Sequence, residues 1–264
     1  MGLSVINIRD VPIERMEERD GWAISEFRLP ITGASGSKTT VFHSIFRAGS
    51  THAKHLHEYC DEIAVYLFGH GVVGQGMSRA EVSAGHCRLM PKNSEHFFYN
   101  ETEDEEAYVI GFYLNAPSVA GTGYKFCGDV NARDISQPRD GLNDGVLVRL
   151  QDADAINSLA ANGWRNVEVR PLIGTQNGSS NALLHLTLGV DSSINPPLFK
   201  NAEIIYYIDA GKGRLIDGTK EYEIESGSFV FVPENYEYEL QNIGGEKLKV
   251  FMVLTGAGSI ETVI

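Results

Sequence analysis

Positive charge is in short supply in this chain. Its 264 residues carry 22 lysines and arginines against 35 aspartates and glutamates, a formal net charge of −13. Nucleic acid and anionic membrane both reward clustered Lys and Arg, so neither is expected as a partner. Cysteine is scarce as well: Cys60, Cys87 and Cys127 form no CxxC pair, and an odd, scattered set does not build a disulfide scaffold. A reducing cytoplasm is the expected compartment. No apolar run approaches about 18 residues, and the opening MGLSVINIRDVPIERMEERDGW has no basic segment leading into an apolar one. Neither a membrane span nor a secretion signal is expected. A helix-turn-helix segment is also missing, which argues against a stand-alone transcription factor.

What is present reads as β structure. Hydrophobic residues make up 42% and charged residues 22%, the balance of a globular protein long enough for one large or two ordinary domains. Short apolar, β-branched and aromatic runs at 3–8, 22–29, 39–46, 62–68, 87–90, 96–99 and 107–114 alternate with Gly, Pro and polar punctuation. That spacing predicts an all-β sandwich or barrel. Helix is confined to a charged turn or short helix around 13–19 and a short helix over 152–161. The glycine-rich GHGVVGQG, 69–76, reads as a hairpin turn rather than a phosphate loop, since no long helical period adjoins it.

Two stretches carry the chemistry, GSTHAKHLHEYCDEIAVYLFG (49–69) and GHCRLMPKNSEHFFYN (85–100). His55 and His57, two apart on an extended strand, point to one face and form a chelating pair. Glu62 opens the next strand and His96 lies in a third. Three imidazoles and one carboxylate on adjacent strands make a mixed site suited to Fe, Mn, Ni, Cu or Zn. Alternation from Glu62 places Ala64, Tyr66 and Phe68 on the ligand face, and alternation from His96 places Phe98 and Asn100 there. Phe68 and Asn100 read as plain barrel core, whereas Tyr66 and Phe98 are candidates to line a partly apolar pocket. His52 and His86 are acid–base candidates that fit loop or rim positions better, and Cys60 reads as loop filler.

The two stretches resemble the paired motifs of the cupin superfamily, G-x5-H-x-H-x4-E-x6-G and G-x5-P-x-G-x2-H-x3-N. Gly49, His55, His57, Glu62 and Gly69 fit the first; Gly85, Pro91, His96 and Asn100 fit the second, with Asn93 where the family has glycine. Asn also adopts left-handed turn conformations, so the departure is mild.

The punctuation then recurs. Gly69, Gly71, Gly85, Pro91, Asn93 and Asn100 reappear 142 positions on as Gly211, Gly213, Gly227, Pro233, Asn235 and Asn242. Residues that fix backbone geometry, repeated at one register, argue for two copies of one layout. The chain resembles a bicupin: two tandem cupin-type barrels over 1–125 and 146–264, joined by a Gly-, Asp-, Asn- and Pro-rich connection over 126–145. The same offset carries His55, His57, Glu62 and His96 onto Pro197, Phe199, Ile204 and Tyr238, none a good metal ligand. Asn195 and Glu203 are the nearest alternatives, and two oxygen ligands do not replace three imidazoles. One divalent metal per chain is therefore expected, in the first barrel. The second barrel reads as structural, with a dimer surface, or as a cavity in which Tyr206, Tyr207 and Tyr238 take an organic ligand.

A three-histidine, one-glutamate cupin site implies dioxygenases, isomerases, decarboxylases, lyases or cyclases, while other cupins only bind small ligands. The leading expectation is an Fe(II)- or Mn(II)-dependent oxygenase-type enzyme acting on a small oxygenated molecule, with Glu62 able to leave the metal and serve as base. A redox-neutral enzyme using Zn, Ni or Mn as Lewis acid, and a non-catalytic binding protein, are the alternatives. A homodimer is the expected assembly.

Overall fold

The computed structural model describes residues 2–15, 24–142, 146–156, 163–195, 201–218 and 220–262. In chain order its strands are β1 (Ser4–Asn7), β2 (Glu26–Ile31), β3 (Thr40–Phe46), β4 (Thr51–His57), β5 (Glu62–Phe68), β6 (His70–Gln75), β7 (Ser78–Ser83), β8 (His86–Met90), β9 (His96–Tyr99), β10 (Ala107–Tyr113) and β11 (Tyr124–Gly128). After the one-turn helix α1 (Ala132–Ile135) come β12 (Val146–Arg149), β13 (Trp164–Ile173), β14 (Ala182–Ile194), β15 (Glu203–Ala210), β16 (Lys212–Asp217), β17 (Lys220–Glu225), β18 (Ser228–Val232), β19 (Glu239–Asn242) and β20 (Leu248–Thr255). All pairings between these strands are antiparallel, in three sheets.

These elements form two compact units. The first takes residues 12–33 and 38–149, with sheets in the order β12-β8-β5-β10-β3-β2 and β11-β4-β9-β6-β7. The second takes 1–11, 34–37 and 150–264 and carries β1-β18-β15-β20-β14-β19-β16-β17, with β13 beside β14. Each has its own core. In the second, Trp164, Leu186, Tyr206, Val230, Leu240 and Met252 belong to one buried cluster; in the first, Phe46, Ala64, Tyr66, Met90, Phe98 and Val109 do.

The repeat is visible in the strand register. Ile63 faces Leu89 as Ile205 faces Phe231, and Gly71 faces Val82 as Gly213 faces Ile224, each pair 142 positions from its counterpart. Asn93 and Asn235 both adopt positive φ, 65° and 58°, so Asn serves as the left-handed turn residue in both copies. Gly69 and Gly211 are fixed alike: a Cβ at either would lie 2.0 Å from Glu106 O or 2.7 Å from Lys247 O.

Strand pairing distributes the chain differently from the expected 1–125 and 146–264 spans. β12, at the head of the second repeat, pairs with β8 of the first barrel, Val146 facing Leu89. β1, at the head of the first repeat, pairs with β18 of the second, Ser4 facing Phe231. Ser4 and Val146 are themselves 142 apart, so the two repeats exchange their leading strands. An edge strand is an unpaired hydrogen-bonding row, and each exchange covers one.

Other expectations are corrected. The GHGVVGQG stretch is strand β6 rather than a turn, and its glycines answer to sterics: a Cβ at Gly71 would meet the Phe98 ring at 2.3 Å, and one at Gly74 the Phe97 ring at 2.0 Å. The 126–145 connection is not bare linker. It holds most of β11, paired with β4, and helix α1, whose Asn131 caps Arg133 and Asp134. Phe68 is not core; it is 51% exposed, because a register shift between Tyr108 and Val109 lets Leu67 bulge and reverses the alternation beyond Tyr66. The charged segment at 13–15 and the stretch 153–156 are not helical, and Ile156 instead bridges Val169. The rest of both expected helices, 16–19 and 157–161, and the strand start at 22–23 lie outside the described residues.

Candidate metal centre

β4 delivers two imidazoles, β5 a carboxylate at its first residue and β9 a third imidazole at its first residue. The ligand atoms of His55, His57, Glu62 and His96 lie within 4.8 Å of one another, and all four residues are buried. Register explains the convergence: His55 faces His96 across β4 and β9. Glu62, from the neighbouring sheet, is met by His57 Nε2 at 3.0 Å and by His96 Nε2 at 3.3 Å, both on Oε2.

The donor set fits a divalent cation. His55 Nδ1 donates to Ala53 O at 2.7 Å and His96 Nδ1 to Ser94 O at 2.9 Å. Each bond leaves the ring's lone pair on Nε2, and both Nε2 atoms are buried without a hydrogen-bond partner, as is His57 Nδ1. Burial, with the neighbouring imidazoles, holds His55 well below its ordinary pKa; burial lowers His96 too, against the pull of Glu62. Burial alone would raise Glu62, but the hydrogen bond from His57 and the nearby His96 ring outweigh it and keep the carboxyl ionised. Neutral imidazole lone pairs turned toward a carboxylate in a dry interior are unfavourable unless a cation lies between them. His55, His57, Glu62 and His96 are the residues that would hold it.

Aromatic groups enclose the centre. Tyr66 and Phe98, the proposed lining residues, are buried with ring centroids 5.7 Å apart. The Tyr113 ring meets His57 edge-on at 4.9 Å, following from its register opposite Glu62. Tyr124, at the start of β11, stacks on His55 at 5.1 Å and 25°. Sequence reasoning missed Tyr124 because its segment is rich in Gly and Asp, although the Tyr-Lys-Phe alternation was a strand signal. His52 comes closer than a rim residue would, its ring 4.1 Å from His55, and the register shift between His52 and His55 brings them onto one side. His86 stays apart, its Nδ1 bonded to Ser83 in the β7–β8 turn. Cys60 is buried beside Phe27, Phe42 and Tyr113, and burial pushes its thiol up to about 12, so it is an inert filler. Asn100 is buried and its amide donates to Phe46 O and Glu105 O, a strand-end clamp rather than a ligand.

The second barrel presents different groups at these positions. Ile204 stands where Glu62 would be, Tyr238 where His96 would be and Tyr206 in place of Ala64; Pro197 and Phe199 lie outside the described residues. Tyr206 and Tyr238 join hydroxyls at 2.6 Å inside the apolar core, and Tyr207 turns away to pack on Phe229. Among the described residues, the His55, His57, Glu62 and His96 group is the one cluster that could hold a metal ion.

Two repeated antiparallel barrels, one carrying a buried three-histidine, one-glutamate cluster, define a bicupin fold with a candidate metal centre. Solved structures of oxalate decarboxylase match it over nearly the whole chain. The Bacillus subtilis enzyme studied for its Mn(II) centres superposes with a TM-score of 0.72 at 14% identity, covering 97% of this chain and 77% of that one. The same enzyme at pH 4.6 gives 0.71 at 14% identity, covering 96% and 76%. An oxalate decarboxylase structure defining a substrate binding mode gives 0.71 at 15%, covering 97% and 77%. At such identity the likeness is one of fold. No family model matches the chain, and no curated protein sequence matches it.

Proposed function

We propose that this protein is a metal-dependent enzyme acting on a small oxygenated organic molecule, with Fe(II) or Mn(II) at His55, His57, Glu62 and His96 and oxygenase-type chemistry. The observation that carries this reading is the buried cluster whose imidazole lone pairs lack any other partner. A bound divalent ion supplies Lewis acidity toward substrate oxygens. In this reading the protein orients and shields: Tyr66 and Phe98 give the interior an apolar wall, and Tyr124 holds the His55 ring by its face. Glu62, flanked by the His57 and His96 imidazoles, acts as a ligand before it acts as a base. His52, kept neutral by burial, is the nearest further imidazole for a proton. A redox-neutral reading, decarboxylation or isomerisation, is favoured by the likeness in fold to oxalate decarboxylase. Oxygen uptake by metal-reconstituted protein on diketone, catechol and hydroxy-acid panels separates the two. Turnover undiminished under nitrogen overturns the oxygenase half, and failure to bind any divalent metal overturns both. A cytoplasmic homodimer belongs to the same proposal, and light scattering tests the dimer.

A further inference from the structure

Arg88 is a charged residue at an interior position of the first barrel. It faces Ala64 across β5 and β8, while the next pair toward the metal centre is Glu62 with Met90. Two residues along a strand span about 7 Å, so the guanidinium's strand position lies one side-chain row from the carboxylate ligand. The side chain is 1% exposed. Its Nη2 donates to Gly74 O at 2.7 Å and its Nη1 to Phe97 O at 3.3 Å, reaching from one sheet to the other. Arg88 and Tyr66 act on each other electrostatically, and Nε is buried with no hydrogen-bond partner.

Carbonyls satisfy hydrogen bonds but do not neutralise a charge. Among the described residues Arg88 has no ion pair, and the carboxylate that acts on it, Glu62, is already engaged by His57 and His96. A buried cation without a counter-ion is costly, and a strut between strands does not require one. The charge balance points the same way. With a divalent ion bound, the ion and Arg88 together outweigh the single carboxylate of Glu62, so positive charge is left uncompensated in a dry interior, where an anion is the natural complement.

Resting on the metal-centre reading above, we propose that Arg88, with Tyr66 beside it, forms an anion subsite that receives the carboxylate of a small substrate whose other oxygen group binds at the metal. The ligand class is a short oxo-acid, hydroxy-acid or dicarboxylate, held at one end by Nε–H of Arg88 and at the other by the ion. Arg88 acts as a specificity residue, and neutral diketones and catechols are poorer ligands.

The test uses the Mn(II)-loaded full chain and two hydroxamates with identical chelating heads, one ending in a carboxylate and the other in a carboxamide. Affinity is read by competition and by the Mn(II) EPR signal. A charge-assisted hydrogen bond corresponds to about tenfold or more, so the wild type is expected to favour the carboxylate tail by at least that factor. Arg88→Met is expected to remove the preference while leaving carboxamide binding and metal content unchanged, and Arg88→Lys to restore part of it. Equal affinity for the two tails in the wild type overturns the proposal whether or not the variants fold, as does an undiminished preference in Arg88→Met. Loss of both ligands together with metal overturns the metal-centre reading instead, because the carboxamide compound reports on the ion alone.

Discussion

The Tyr206–Tyr238 pair lets the filled state of the second barrel be measured. Their hydroxyls meet at 2.6 Å among Ile204, Leu186, Val230 and Leu240, all essentially inaccessible to water. Removing one hydroxyl as Tyr238→Phe leaves the other in a dry apolar site with its partner gone. An unsatisfied buried hydroxyl costs about 1–3 kcal/mol, and the same figure applies to Tyr206→Phe. Removing both deletes the orphan while keeping the ring packing, so the double variant is expected to cost no more than either single change, giving a coupling of about 1–3 kcal/mol. Trp164 is buried in the same cluster, so urea unfolding followed by its fluorescence, in a Trp22→Phe background, reads this barrel directly. Additive single costs, or no cost at all, would show that water or a ligand reaches these hydroxyls and that the barrel is not plugged as described.

Further outcomes follow from other parts of the fold. Burial first, then Lys249 and Arg170, lowers His185 to about 4, so between pH 6.5 and 4 the unfolded chain takes the proton more readily. Its stabilisation is complete above about pH 6.5 and lost as pH falls; about 2 kcal/mol should be gone by pH 5, and His185→Leu should flatten that part of the urea-midpoint profile. Deleting residues 1–8 strips β1 from β18 and exposes Ser228–Val232 as an apolar edge, so the truncated chain is expected to aggregate by light scattering while the first barrel retains its metal affinity. A thiol reagent should label Cys127 quickly but reach the buried Cys60 and Cys87 only on unfolding, which mass spectrometry of timed samples would reveal.

The candidate ligand cluster was legible because chelation demands local spacing: His55 and His57 stand two apart on a strand, and Glu62 opens the next one. The repeat was legible because Gly and Pro report backbone geometry wherever they stand. What escaped reading depends on partners distant in sequence. Residues 4–7 fall in an expected strand, but nothing local to them or to 146–149 says that each closes the other repeat's barrel. Bulges were equally silent, so Phe68 was read as inward and His52 as peripheral. Arg88 was passed over because a charge inside an apolar run is ordinarily a solvated face. Only its position opposite Ala64 places it inside.

The most direct test is metal stoichiometry by elemental analysis after reconstitution with Mn(II) or Fe(II) and removal of loose ions, on the wild type, His55→Ala and Glu203→Ala. One ion per chain is expected in the wild type and in Glu203→Ala, and none in His55→Ala with the Trp164 unfolding transition unchanged. Two ions per wild-type chain, or one ion surviving in a folded His55→Ala protein, would contradict a single centre built on His55, His57, Glu62 and His96.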